Sequence, residues 1–133
     1  MTKLILVVLA IVTIAANTLN AKGDEIKTSS IESLIMGVNS DNFGLRTSAA
    51  YMLGELKCEK GLIPLMRMLK SEDREDARIV AALALLKIGN AKGIFAIKQA
   101  IRFDESERVQ KLCAAFYQAF YNQSKDSIGL AVK

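Results

Sequence analysis

The sequence predicts an all-α protein built as a stack of about three helical hairpins. Apolar residues recur at helical spacing, no run alternates apolar and polar residues as a half-buried strand would, and the chain matches itself at a period of 32 residues. RTSAAYMLGEL (46–56) aligns with RIVAALALLKI (78–88): Arg46 falls on Arg78, Ala49 and Ala50 on Ala81 and Ala82, Leu53 on Leu85, and Leu56 on Ile88. One more period reaches Val109, Gln110, Cys113, Ala114, Tyr117 and Phe120. KGLIPLMRML (60–69) aligns in the same way with KGIFAIKQAI (92–101), Gly61 over Gly93. A fixed period of this size marks a repeat protein, in which each hairpin buries its apolar stripe only against its neighbours.

Residues 1–21 read as an export signal. Lys3 is followed by an uncharged apolar run from Leu4 to Ala16, a length that suits a signal peptide and falls short of the roughly 20 residues a spanning helix needs. Ala21 is the small residue before the expected cut, giving a mature start at Lys22; Leu19 is not ideal at the third position back, so cleavage after Ala15 or Ala16 stays open. An uncleaved anchor or a buried N-terminal helix are the competing readings. The expected location is outside the cytoplasm, periplasmic or secreted, with no stable membrane insertion once the signal is removed.

The repeat domain is expected over 29–121. Its first helices fall near 29–38, 61–70 and 93–102, and its second helices near 43–57, 75–88 and 106–121; SIESLIMGV (30–38) reads as the earliest first helix, with a connection one residue shorter. Ala49, Ala50, Leu53 and Leu56 lie on one helical face. Pro64 sits in a first turn, where its missing N–H costs little, and Gly89 and Asn90 mark a C-terminal stop. Asp41, Asp73 and Asp104 each precede a second helix and are expected caps. Met36, Met52, Met66 and Met68 are expected to be core or near-core filler. Residues 122–133 form a C-terminal tail.

Composition narrows the function. A hydrophobic fraction of 51% with 24% charged residues is too apolar for a disordered chain. Without residues 1–21 the chain holds 17 basic and 14 acidic residues, a formal +3, and the signs alternate in KSEDREDAR (70–78) and RFDESERVQK (102–111), as on solvated helix faces; no nucleic-acid partner is expected. Histidine is absent, which removes Ser–His and Cys–His nucleophile pairs, and no glycine-rich phosphate loop is present. Dense acids such as Asp73, Glu75 and Asp76 read as helix-start dipole partners. No catalytic, cofactor-binding or metal-ligating residues are expected, so the chain reads as a non-enzyme. Cys58, at a hairpin turn, and Cys113, inside a helix, are not expected to pair; Cys58 is the more reactive candidate.

The pattern Arg-x-x-Ala-Ala-x-x-Leu, a turn, then Gly-x-x-x-Leu resembles the short bacterial HEAT-like repeats known from the phycobilisome-lyase family. The resemblance covers about 29–121 and departs in the third copy, where Gln110 replaces the arginine and Cys113 the first alanine. It implies an α-solenoid and a protein-binding scaffold with no cofactor of its own; some members assist chromophore attachment, so the alternative is an accessory to such an enzyme system. It also implies that Arg46 and Arg78 form a structural ladder with carboxylates of a neighbouring layer, Asp41, Asp73, Glu75 and Asp76 being at hand. The expected partner is a protein or peptide, self-association included. Phe116, Tyr117, Phe120 and Tyr121, four of the eight aromatic residues, are the candidate protein-binding residues, because they end the stack. They are either exposed there, or covered by a tail that folds back through Ile128, Leu130 and Val132.

Overall fold

The computed structural model describes residues 27–131, and the expected export signal at 1–21 lies outside them. The chain divides into two compact units, Met1–Glu32 and Ser33–Lys133. Of the first, the described residues 27–32 are helical. The second opens on helical residues 33–38 (α1), followed by α2 (Phe43–Glu55), a 3₁₀ turn (Glu59–Gly61), α3 (Leu62–Ser71), α4 (Glu75–Ile88), α5 (Ala91–Phe103) and α6 (Glu107–Ala131). The described residues are all-helical apart from their connections. Among them no helix is both long and apolar enough to cross a membrane.

Local chemistry sets where these helices start. The cap of α2 is Asn42, whose side chain accepts from Leu45 N–H at 2.9 Å, not Asp41. At α6 the cap is Ser106, whose Oγ accepts from Val109 N–H at 3.3 Å; Asp104 stands two residues earlier and accepts from Ser106 N–H at 2.9 Å. Arg74 occupies the cap position of α4 without a side-chain cap bond, and Glu75 and Asp76 in the first turn face the positive helix end instead. The three aspartates lie one or two residues too early, because a capping side chain must directly precede the first helical residue. Asn90 caps α5 by accepting from Lys92 N–H at 2.9 Å.

Helix ends show the register as well. Gly89 closes α4 at φ 71°, the left-handed conformation in which glycine carries no Cβ penalty. One period earlier, Lys57 takes the same conformation at φ 48°. That backbone strains lysine and not glycine, so Lys57→Gly is expected to raise stability by about 1 kcal/mol, read as a shift of the urea midpoint. An unchanged or lowered midpoint would mean the lysine side chain offsets the strain.

Packing follows from small residues on the second helices. α4 is the central element: it packs on α2 and α6 and forms a hairpin with α3, while α5 pairs with α6 and lies along α3. Ala49, Ala50 and Leu53 of α2, Ala77, Ala81, Ala82, Ala84 and Leu85 of α4, and Val109 and Cys113 of α6 are all buried. The first helices add Leu62, Leu65, Met68 and Leu69, then Ile94, Ile97 and Ala100. Each fully buried leucine or isoleucine, such as Leu53, Leu65, Leu85 and Ile97, contributes roughly 1.5–3 kcal/mol of apolar burial. α2 and α4 touch backbone to backbone at Gly54: a Cβ there would lie 2.7 Å from Ala84 Cα.

Several expected core residues lie outside it. Leu56 is exposed, because α2 ends at Glu55 and the left-handed turn at Lys57 takes the chain off the apolar stripe. Met68 is buried and Met66 half-buried, but Met36 and Met52 are exposed. Met52 is one period before Ala84; the α4 residue is covered by α2, whereas the same position on α2 faces away from α4. The tail also differs. Residues 122–131 continue α6 instead of folding back, and Ile128 is exposed, so the aromatic end is not covered by a returning segment. Val132 lies outside the described residues.

Candidate interaction surfaces

Arg46 and Arg78 occupy equivalent places at the starts of α2 and α4, and the 32-residue period gives them equivalent partners. Within its own hairpin, Arg78 Nη1 donates to the carbonyls of Glu72 at 2.6 Å and Asp73 at 3.0 Å. Arg46 Nη1 donates likewise to Ser40 at 2.9 Å and Asp41 at 3.0 Å. Each guanidinium then reaches a carboxylate of the next hairpin. Arg78 makes a fork on Asp104, Nε to Oδ2 and Nη2 to Oδ1, both at 3.0 Å. Arg46 Nη2 donates to Glu72 Oε2 at 3.2 Å, while its Nε lies 2.7 Å from Oε1 without the alignment of a hydrogen bond. The acidic partners are thus Glu72 and Asp104. Asp41 and Asp73 take part through their backbone carbonyls, because their side chains sit one residue past the position that faces the preceding hairpin.

The ladder ends in neutral residues on both sides. Gln110, at the arginine position of the third hairpin, keeps only the inner contact, donating to the Asp104 carbonyl at 2.6 Å. Ser40, at the carboxylate position of the first, accepts from Asn42 N–H at 3.1 Å, the same local turn bond that Asp104 makes to Ser106. Both places are half-buried, where a charge with no partner among the described residues would be costly. Further ties join residues one period apart: Lys87 pairs with Glu55, and Arg108 with Asp76 at 2.9 Å. Hydrogen bonds to Asp76 and Glu75 and their charges hold the Arg108 guanidinium above its usual range.

The four aromatic residues of α6 do not form one patch. Phe120 is half-buried and lines a groove of about 430 Å³ between the end of α4 and α6, with Leu86, Ile88 and Ala119 as apolar walls and Lys57, Lys87 and Gln123 as polar lining. Tyr117 lies under the Lys98 ammonium, 5.6 Å from the ring centre, on the α5 side. Tyr121 is about half exposed and carries Lys125 at 5.3 Å. Phe116 is half-buried. At 100° per residue, 116, 117, 120 and 121 spread over an arc of about 140°, so α4 and α5 each take a part. The sequence pattern did not single out Lys57 and Gln123 of the groove; they come together only when the α2 turn meets the far half of α6.

Both cysteines are free and buried. Cys58, taken as the more reactive thiol from its turn position, is covered as well. Burial, and secondarily the negative charge of Asp104, push the Cys113 thiol up to about 11. Below about pH 9, its ordinary value, the thiol is neutral in both states. From there to about 11 the unfolded chain gives up its proton while the folded one keeps it, so stability falls as pH rises. Cys113→Ala is therefore expected to flatten the alkaline limb of a urea-midpoint profile; an identical slope in the variant would contradict this. Among the described residues, no three Cys, Asp or Glu side chains gather as a metal-holding group.

No protein-family model matches the chain, and no curated protein matches it.

Proposed function

We propose that this chain is an exported, non-catalytic scaffold, an α-solenoid of three HEAT-like hairpins that binds a protein or peptide partner on the surface of its second helices. The observation that carries the reading is the repetition of contacts at fixed offsets. Residues 46, 78 and 110 each donate to the carbonyl six residues earlier, and Arg46 and Arg78 each reach a carboxylate 26 residues later. Regular stacking of this kind builds a continuous surface from successive hairpins, which is how repeat proteins bind extended partners. The groove at Phe120 lies on that surface. Its apolar walls take an aliphatic or aromatic side chain, and Lys57, which has no acidic partner among the described residues, takes an adjacent carboxylate. Export rests on the pattern of residues 1–21.

The test is affinity capture with the full chain from the exported fraction, with Lys57→Glu and Phe120→Ala run in parallel and helicity checked by circular dichroism. One stoichiometric protein partner, lost in both folded variants, is the expected result. A bound pigment, turnover of a small molecule, or capture indifferent to both variants overturns the reading. An N-terminal sequence beginning at Lys22 in the exported material tests the export half separately.

A further inference from the structure

The outer face of α3 and α5 carries charge of one sign. These two helices lie side by side and contain no aspartate or glutamate, yet they carry Arg67, Lys70, Lys92, Lys98 and Arg102, all exposed. Among the described residues none of the five pairs with a carboxylate, though Lys98 lies over the Tyr117 ring; on the second helices Arg46, Arg78, Lys87, Arg108 and Lys111 are paired and Lys125 is not. The same outward faces present large apolar side chains: Ile63 is 57% exposed, Phe95 59% and Phe103 74%. Helical spacing interleaves the two kinds. Arg67 and Lys70 follow Ile63 at i+4 and i+7, and Lys98 and Arg102 follow Phe95 at i+3 and i+7. The arrangement also repeats across hairpins, since Ile63 and Phe95, and Lys70 and Arg102, are each one 32-residue period apart.

We propose that this face docks on an anionic phospholipid surface, independently of the groove at Phe120. Ile63, Phe95 and Phe103 enter the boundary between headgroups and acyl chains, and the surrounding cations meet the lipid phosphates and carboxylates at the level of the helix surface. Helices of 10 and 13 residues cannot span a bilayer, so the chain lies on the surface there. The charge complementarity is one-signed across both helices, which suits a sheet of negative charge. An acidic peptide is the weaker fit: seated in the groove of about 490 Å³ between the helices, it would reach Phe95 and Phe103 but leave Ile63, Arg67 and Lys92, which do not line that groove.

The chain has no tryptophan, so Phe95→Trp in the full chain places a single indole reporter on this face. The probe is phosphatidylcholine vesicles with about 30 mol% phosphatidylserine, against phosphatidylcholine alone, at low salt. Expected are a blue-shifted indole signal quenched by brominated lipid, and partition at least about tenfold stronger on the anionic vesicles, lost at about 0.5 M salt. Arg67→Glu, Lys70→Glu, Lys98→Glu and Arg102→Glu together abolish the preference while the helical spectrum is kept, since all four are exposed. A Tyr51→Trp reporter on α2 stays unquenched. The proposal is overturned by equal partition on neutral vesicles, by co-sedimentation with the α5 indole unquenched (the apolar run at 4–16 then does the binding), or by indifference to the charge reversals. A response of the α5 indole to a glutamate-rich peptide with none to vesicles assigns the face to an acidic protein and overturns it too.

Discussion

Arg78→Ala is expected to cost about 3–5 kcal/mol of folding stability, a large part of the roughly 5–15 kcal/mol margin of a typical domain. The pair it breaks is closed to water: the Arg78 side chain is 4% exposed and that of Asp104 7%. Removing the guanidinium strips Asp104 of its two-point partner and leaves the Glu72 and Asp73 carbonyls without the donor that holds the α3–α4 turn. The remaining carboxylate keeps only the Ser106 N–H, so its burial is no longer compensated. Arg46→Ala should cost less, about 1–2 kcal/mol, because Arg46 and Glu72 are 18% and 17% exposed and water can replace part of the contact. Urea unfolding of both single variants, of Asp104→Leu and of the Arg78→Met/Asp104→Leu double variant gives the comparison. The double variant should recover much of the loss, since an apolar pair of similar volume leaves no buried charge. A loss below about 1 kcal/mol for Arg78→Ala would show that the pair is not what joins the second and third hairpins.

Gly54→Ala is expected to destabilise by about 2 kcal/mol even though alanine is the better helix former by about 1 kcal/mol. The added Cβ would meet Ala84 Cα at 2.7 Å and Ala84 Cβ at 2.9 Å, and backbone cannot rotate out of the way as a side chain can. The α2–α4 contact must open, and that contact carries the fully buried Leu53, Ala81 and Leu85. Ala84→Gly should rescue the variant only in part, because the 2.7 Å approach to Cα remains. Gly129→Ala is the control: it is also helical, nothing lies within 4 Å of its added Cβ, and it should be neutral or slightly stabilising. Thermal or urea midpoints of the three variants decide the matter. If Gly54→Ala and Gly129→Ala behave alike, the close approach of the helices is not limiting.

Much of this was readable in the residues alone. Apolar spacing and the 32-residue self-match placed the described helices to within a few residues, because a repeat forces each segment to satisfy the same local pattern; the exception is the end of α6, which runs ten residues past the expected 121 where no further repeat constrains it. Pro64 in a first turn and Gly89 at a helix end were legible for the same reason: each answers a backbone requirement that depends only on its neighbours in sequence. The equivalence of Arg46 and Arg78 was visible too, as an alignment.

What joined the hairpins was decided by tertiary structure. Glu72 and Asp104 could not be told from Asp41, Asp73, Glu75 and Asp76 by spacing, since which carboxylate faces the preceding hairpin depends on where the turn directs it. Leu56, Met36 and Met52 look like core by type, yet each is exposed where a helix ends or a face lacks a neighbour. The aromatic cluster of α6 is contiguous in sequence and dispersed in space, because adjacent helical positions point about 100° apart and meet different helices. The unpaired cations of α3 and α5 make the same point in reverse. Their one-signed segments, KGLIPLMRMLK (60–70) and KGIFAIKQAIR (92–102), are visible in the sequence, and only the stacking sets the two side by side on one face. Sequence alone thus determined the helices and their period, which are local; burial and charge pairing came from the stacking, which is not.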